Sequence, residues 1–183
     1  CYIYAMPEKL KLTVQLTKSE SNLMWYYAIN VSADVAEQFI EGVDRRVICT
    51  LPDGDHFHCA LFASKQGGYN ILLNKQRRDR LGLRAGSVFD IELEKDMTKY
   101  GTAMSDEFAV VLEQDQEGSA IFHRLTPGKQ RTLIYFSDNV KSSDIKIRRA
   151  LVVMRHLVES QGELDYKRLN VMVKEANQSA KLK

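Results

Sequence analysis

From Leu10 to Thr17 the chain alternates without a break: Leu10, Leu12, Val14 and Leu16 on one side, Lys11, Thr13, Gln15 and Thr17 on the other. Period two predicts a strand with one buried and one wet face. The pattern stops at the polar turn KSESN and resumes in WYYAINV, where Trp25, Tyr27, Ile29 and Val31 share a face, so the pair reads as a hairpin. Ser32 then caps a short helix, ADVAEQFIEG, with Val35, Phe39 and Ile40 apolar and Gly42 as its stop. RRVICTL and HFHCALF are strands on either side of the turn PDGD, with Val47, Cys49 and Leu51, then Phe57, Cys59 and Leu61, facing inward. After the loop SKQGG come a strand, YNILL, and a short helix, KQRRDRLG. A turn then leads into VFDIELEKD, where Phe89, Ile91 and Leu93 alternate with Asp90, Glu92 and Glu94.

Beyond residue 100 the period lengthens. Ser105 stands as the cap of a helix carrying Phe108, Val111 and Leu112, and a second helix near 115–124 carries Ile121 and Phe122. Thr126 and Pro127 open a third, with Leu133, Phe136 and Val140 on one face. The clearest helix, SSDIKIRRALVVMRHLVESQG, shows Ile147, Leu151, Met154 and Val158 at helical spacing and Gly162 at its exit; Asp165 caps a last helix bearing Leu169, Met172, Val173 and Ala176. No internal repeat or low-complexity tract appears. The expected class is α+β: a small, mostly antiparallel β-barrel over residues 8–97, then a helical part over 104–178, joined by a stretch with neither period.

Composition narrows the classes. The 183 residues are 44% hydrophobic, which supports a core, and no apolar run approaches the roughly 20 residues of a membrane span. The opening CYIYAMPEKL lacks the features of a secretory signal and reads as a scar or an upstream extension, with Met6 the natural start. Cys1, Cys49 and Cys59 are odd in number without CxxC spacing, which fits a reducing, cytoplasmic setting. Residues 1–121 carry 13 Lys/Arg against 18 Asp/Glu, or −5; residues 122–183 carry 13 against 6, or +7. The basic part can meet an anionic partner, or dock on the acidic part of its own chain, which is the favoured reading.

One stretch resembles a known family. GGYNILLNKQRRDRLGLRAGSVFDIELEKD, followed by an acidic helical region and LTPGKQRTLIYFSDNVKSSDIKIRRALVVMRHL, is similar to bacterial YdeI/OmpD-associated proteins. The matching positions are Lys75, Arg78, Leu81, Gly82, Leu83 and Gly86, then Leu125, Thr126 and Pro127, and the order extends over roughly residues 10–160. Ser87 stands where the family has an acidic residue, and its threonine-arginine pattern is only loosely echoed by KSSDIKIRRA. The resemblance implies a double-split β-barrel, an architecture shared with AbrB-type regulators and MazE-type antitoxins, in which basic loops meet DNA. It implies no assigned reaction or ligand, and the fold alone does not confer DNA binding.

The candidate anion or nucleic-acid site is Lys75, Arg77, Arg78, Arg80 and Arg84, in which Arg77, Arg80 and Arg84 follow helical spacing and form one ridge. The plainer reading, which is favoured, pairs these arginines with Asp90, Glu92, Glu94 or Asp96. A second cluster is Lys141, Lys146, Arg148, Arg149, Arg155 and His156, with Lys146, Arg149 and His156 opposite the apolar stripe, a pattern more often just the outer face of a packed helix. His56 and His58 point the same way on a strand and could share a metal with Asp53 or Asp55; two surface histidines are the favoured reading, so no metal is expected. Trp25, Tyr26, Tyr27, Tyr69 and Tyr100 offer stacking surface, although core packing accounts equally well for Trp25 and Tyr27. Cys49 and Cys59 face inward, His123 is isolated, GGYN is too short for a nucleotide loop, and no G-x-S-x-G or H-E-x-x-H motif occurs. The expectation is a non-catalytic module without cofactor that binds a ligand or a protein; an AbrB-like nucleic-acid binder comes second and an enzyme third. The partner, possibilities for which are an acidic protein or a nucleic acid, and the oligomeric state stay open.

Overall fold

The computed structural model describes residues 9–20 and 25–181; Cys1, Met6 and part of the KSESN loop lie outside them, as do the side chains of Glu20 and Trp25. The chain divides after Met97 into two compact units. Split there, the charges are 12 Lys/Arg against 13 Asp/Glu, or −1, and 14 against 11, or +3. The larger asymmetry came from cutting at residue 121.

The first unit is a seven-stranded antiparallel sheet with two short helices. Its strands are β1 (Leu10–Glu20), β2 (Trp25–Val31), β3 (Arg46–Thr50), β4 (His56–Ala60), β5 (Phe62–Ala63), β6 (Tyr69–Leu72) and β7 (Val88–Lys95), in the order β4-β3-β7-β1-β2-β6-β5. Of the KSESN segment, Lys18 to Glu20 still belong to β1. The predicted HFHCALF strand is two strands, and the break explains the shape of the sheet. β4 and β5 lie at opposite edges yet only Leu61 separates them. Laid flat, seven strands would put those edges roughly 29 Å apart, whereas Leu61 spans less than about 8 Å. The sheet is therefore rolled.

The inward faces are those the alternation picked out: Leu16, Ile29, Val47, Cys49 and Leu93 are fully buried, with Val14, Val31, Leu51, Phe57, Leu61 and Ile91 beside them, and Ile71 of β6 joins the same core. Helix α1 (Ala33–Ala36), continued by a 3-10 turn (Glu37–Phe39), seats Ala36 and Phe39 in this core. It is shorter than the sequence suggests, and Ser32 stands at its N-cap without a side-chain cap bond. Lys95 lies on the core face at the end of β7, where its Nζ donates to the Phe39 carbonyl at 3.0 Å and meets Asp44 at 2.8 Å. Helix α2 (Lys75–Arg80) is capped by Asn74, whose side chain accepts the Arg77 N–H.

The second unit is helical: α3 (Asp106–Gln114), α4 (Gln116–Arg124), α5 (Pro127–Asp138), α6 (Ser143–Glu159) and α7 (Tyr166–Lys181). Ser105 caps α3 through the Phe108 N–H, and Asp165 accepts the N–H groups of Lys167 and Arg168 at the start of α7. Helix α6 packs on each of the other four. Gly118 lets α4 come close: a Cβ there would sit 2.9 Å from that of Met154. The buried face of α6 is Ala150, Val153, Met154 and Leu157; of the expected stripe Met154 is buried and Val158 half-buried against the core, while Ile147 and Leu151 are exposed. On α5, Leu133 and Ile134 are buried, Phe136 is half-buried, and Val140 falls beyond the helix end.

Candidate functional site

Two of the three arginines of α2, Arg77 and Arg80, find carboxylates, though not the acids nearest in sequence. Arg77 Nε is 2.7 Å from Asp55 Oδ2, while Arg80 contacts both Asp53 at 2.5 Å and Asp55 at 2.8 Å. Both acids belong to the β3–β4 hairpin. Hydrogen bonds from Arg80 hold the Asp53 carboxyl below its ordinary range. For Asp55, burial pushes the other way, but the bonds from Arg80 and Arg77 outweigh it and the net shift is downward. Lys75 pairs with Asp79 at 2.6 Å. The Arg77 and Arg78 guanidiniums lie over the rings of Phe57 and Tyr27, at 4.2 Å and 3.6 Å from the centroids. The expected ridge of Arg77, Arg80 and Arg84 does not form. Helix α2 stops at Arg80, Gly82 takes a positive φ, and Arg84 projects from the following loop, exposed.

What the two arginines grip is one wall of a groove. Hairpin β3–β4 turns through Pro52, Asp53 and Gly54: Gly54 N–H donates to the Leu51 carbonyl at 2.9 Å, Leu51 N–H to the Asp55 carbonyl at 2.8 Å, and Gly54 has φ +84°. Opposite this loop run β7 and β1, paired Thr13 with Asp90, Leu12 with Ile91 and Lys11 with Glu92. Between them lies an open groove of about 440 Å³ lined by Leu12, Leu51 and Ile91 below and by Thr13, Thr50 and Asp90 among its polar groups. Thr13 Oγ1 donates to Asp90 Oδ1 at 2.7 Å, and Lys11 lies 3.3 Å from Glu92.

The groove exists because β3 leaves β7. Their ladder runs from Val47 opposite Lys95 to Thr50 opposite Glu92, and the Asp96 N–H donates to the Arg46 carbonyl at the same register. Antiparallel bonding alternates, so the even residues of β7 turn N–H and C=O toward β3. Carried on, that register would set Pro52 against Asp90. Proline has no N–H to offer, and the chain turns away there. Among the described residues, the backbone groups of Val88 and Asp90 have no partner on that side.

The other candidates are dispersed. Lys146 lies 4.0 Å from Glu107, Arg148 donates to Asn177, Arg149 to the Phe136 carbonyl, and Arg155 pairs with Glu159. His156 is not on an outer face: it is 3% exposed and its Nε2 accepts the Asp165 N–H at 3.2 Å. Burial lowers its pKa, with partial opposition from Asp165 and Glu159. The buried stripe is shifted around α6, keeping Met154, because the apolar run continues around the helix and its neighbours chose another side.

His56 is exposed, while His58 Nδ1 sits 2.9 Å from Asp96, and Asp53 and Asp55 are held by arginines. Among the described residues no group of three or more His, Cys, Asp or Glu is placed to hold a metal ion. Burial pushes the Cys49 thiol strongly up and the Cys59 thiol up to about 12. Of the described aromatics, Tyr26 and Tyr27 lie on opposite faces of β2, Tyr27 and Tyr69 pack against the core of the first unit, and Tyr100 belongs to the helical core, its hydroxyl 2.9 Å from His123 Nε2. A concavity on the helical unit is lined by Val110, Ile147 and Leu151 beside Glu107 and Ser143.

Sequence reasoning missed the groove, although Pro52 and the Asp90/Glu92 alternation were both in view; the missing piece was the register that sets them opposite each other. Residues 13–93, all within the first unit, match a domain family described only as a domain of unknown function (DUF1905). No curated protein matches the chain. Among the described residues, no helix is long and apolar enough to cross a membrane.

Proposed function

We propose that this chain is a non-catalytic binding protein, related to the YdeI/OmpD-associated proteins and working in the cytoplasm, whose ligand site is the groove between β7 and the β3–β4 loop. The observation that carries this reading is the composition of that groove: an apolar floor of Leu12, Leu51 and Ile91 with a few convergent polar groups. The thiols, held protonated by burial, support a non-catalytic role. So does His123, whose Nδ1 is 2.8 Å from the Ser119 carbonyl, a contact that uses its N–H and leaves that nitrogen no basic lone pair for the Ser119 hydroxyl.

The test is a melting-temperature screen of small molecules and short peptides against the protein and a Thr13→Trp variant that fills the groove. Ligands that raise the melting temperature of the first and not the second support the reading. Equal stabilisation of both variants by every hit, or no hit at all, refutes it. The second reading, an AbrB-like nucleic-acid binder, draws on exposed Arg84 and on a cluster of five cations whose ion pairs among the described residues are with Asp53, Asp55 and Asp79.

A further inference from the structure

We infer that the occupant of the groove is an extended peptide segment that adds to the free edge of β7 as a strand, in the place β3 vacates at Pro52. The inference rests on the groove reading and specifies its ligand.

Four backbone groups define the site: N–H and C=O of Val88 and of Asp90, which the ladder register turns away from β1 and which have no partner among the described residues. Alternating donors and acceptors about 7 Å apart are what another strand satisfies and what most small molecules do not. The vacated length, opposite Val88 to Ile91, spans roughly 13 Å and accommodates about four residues. A Cα trace continuing β3 would fill this space, yet the loop is held off it: Leu51 bonds to Asp55 across the hairpin, and Arg77 and Arg80 fasten Asp55 and Asp53 on α2. The slot is built into the hairpin and its clamp.

Side chains on the slot's outward face set the peptide chemistry. Val88 is 64% exposed and offers an apolar contact. Asp90 follows on the same face; Thr13 occupies its Oδ1 and leaves Oδ2 for a ligand. With Glu92 next along and Lys11 the one opposing charge on the lining, the slot is net acidic. It therefore selects a segment carrying Lys or Arg at the outward position facing Asp90, flanked by β-branched or other strand-forming residues.

The experiment uses the full chain and a library of fluorescein-labelled hexapeptides rich in Val and Thr with a central Lys, beside a matched library with a central Glu. Fluorescence anisotropy gives affinity, and amide hydrogen exchange gives the contact site. The expected result is binding by members of the Lys library, at least tenfold stronger than their Glu counterparts, with slowed exchange at the Val88 and Asp90 amides. Backbone N-methylation of the peptide opposite Asp90 should weaken binding at least tenfold without altering the protein. Val88→Pro, which removes an N–H that makes no bond in the fold, should do the same, provided its melting curve matches the parent.

If a ligand binds in the groove, is lost in Thr13→Trp, and ignores N-methylation, the strand inference fails while the groove reading survives. If no Lys-library peptide binds at millimolar concentration, the inference also fails and Asp90 is a guard on an exposed edge. Protection of Val88 and Asp90 in the free protein together with a doubled mass in solution assigns the slot to a second copy of this chain and overturns the peptide. If no ligand of any kind stabilises the protein, the groove reading falls with it.

Discussion

Replacing Asp53 and Asp55 by asparagine isolates the question of whether the α2 cations belong to DNA or to the hairpin. In the parent protein Arg77 and Arg80 are held by those two acids, and Lys75 by Asp79. That leaves Arg78, stacked on Tyr27, and the exposed Arg84. If all five cations met phosphates, log K would fall with log salt at a slope of about −4.5; with two, at about −2. Between 50 and 200 mM salt this separates a loss of nearly three decades from a loss of about one. The double variant frees Arg77 and Arg80, so its slope should steepen to about −3.6, with stronger binding at low salt. Anisotropy of a labelled 20-base-pair duplex, titrated at several salt concentrations, measures both slopes. A parent slope of −4 or steeper, or a variant slope no different from the parent's, would refute the reasoning and return the segment to the nucleic-acid reading.

Other consequences are as sharp. Lys95→Met removes the donor to the buried Phe39 carbonyl and the partner of Asp44; it should cost about 2 kcal/mol and lower the melting temperature by roughly 10 °C, and an unchanged melting curve would show that the ammonium contributes nothing. With Cys1 replaced by Ser, Cys49 and Cys59 should resist a thiol reagent at pH 8 in the native protein and react fully in denaturant, since burial raises both thiols; native labelling within minutes contradicts this. His156 has its pKa lowered in the fold from 6.5, so the unfolded chain takes up a proton before the native one does. The stability that neutral His156 contributes is present above pH 6.5 and is lost as the pH falls through its lower folded value. Denaturant melts at pH 7.5 and 5 should show the loss, smaller in His156→Gln.

The strands of the first unit were readable because their partners did not need to be known: Val14, Leu16, Ile29 and Leu93 alternate by their own geometry and are buried as expected. What depends on distant partners was not readable. The favoured partners of Arg77 and Arg80 were Asp90, Glu92, Glu94 and Asp96, which follow along the chain, whereas strand order brings up the hairpin acids Asp53 and Asp55 instead. On α6 the expected and observed stripes both obey helical spacing and share Met154; only packing against α3, α4, α5 and α7 decides between them. The groove was invisible for the same reason, since the opposition of Pro52 and Asp90 is a property of register rather than of either residue.

Leu61, the lone corner between β4 and β5, has a mechanical consequence. A flat sheet can fray strand by strand from either margin. Here the same few backbone atoms stitch both margins, so tugging one loose pulls on the other, and the wall should let go as a whole or hold as a whole. A cut at that corner would turn the closed ribbon into one with two free flaps.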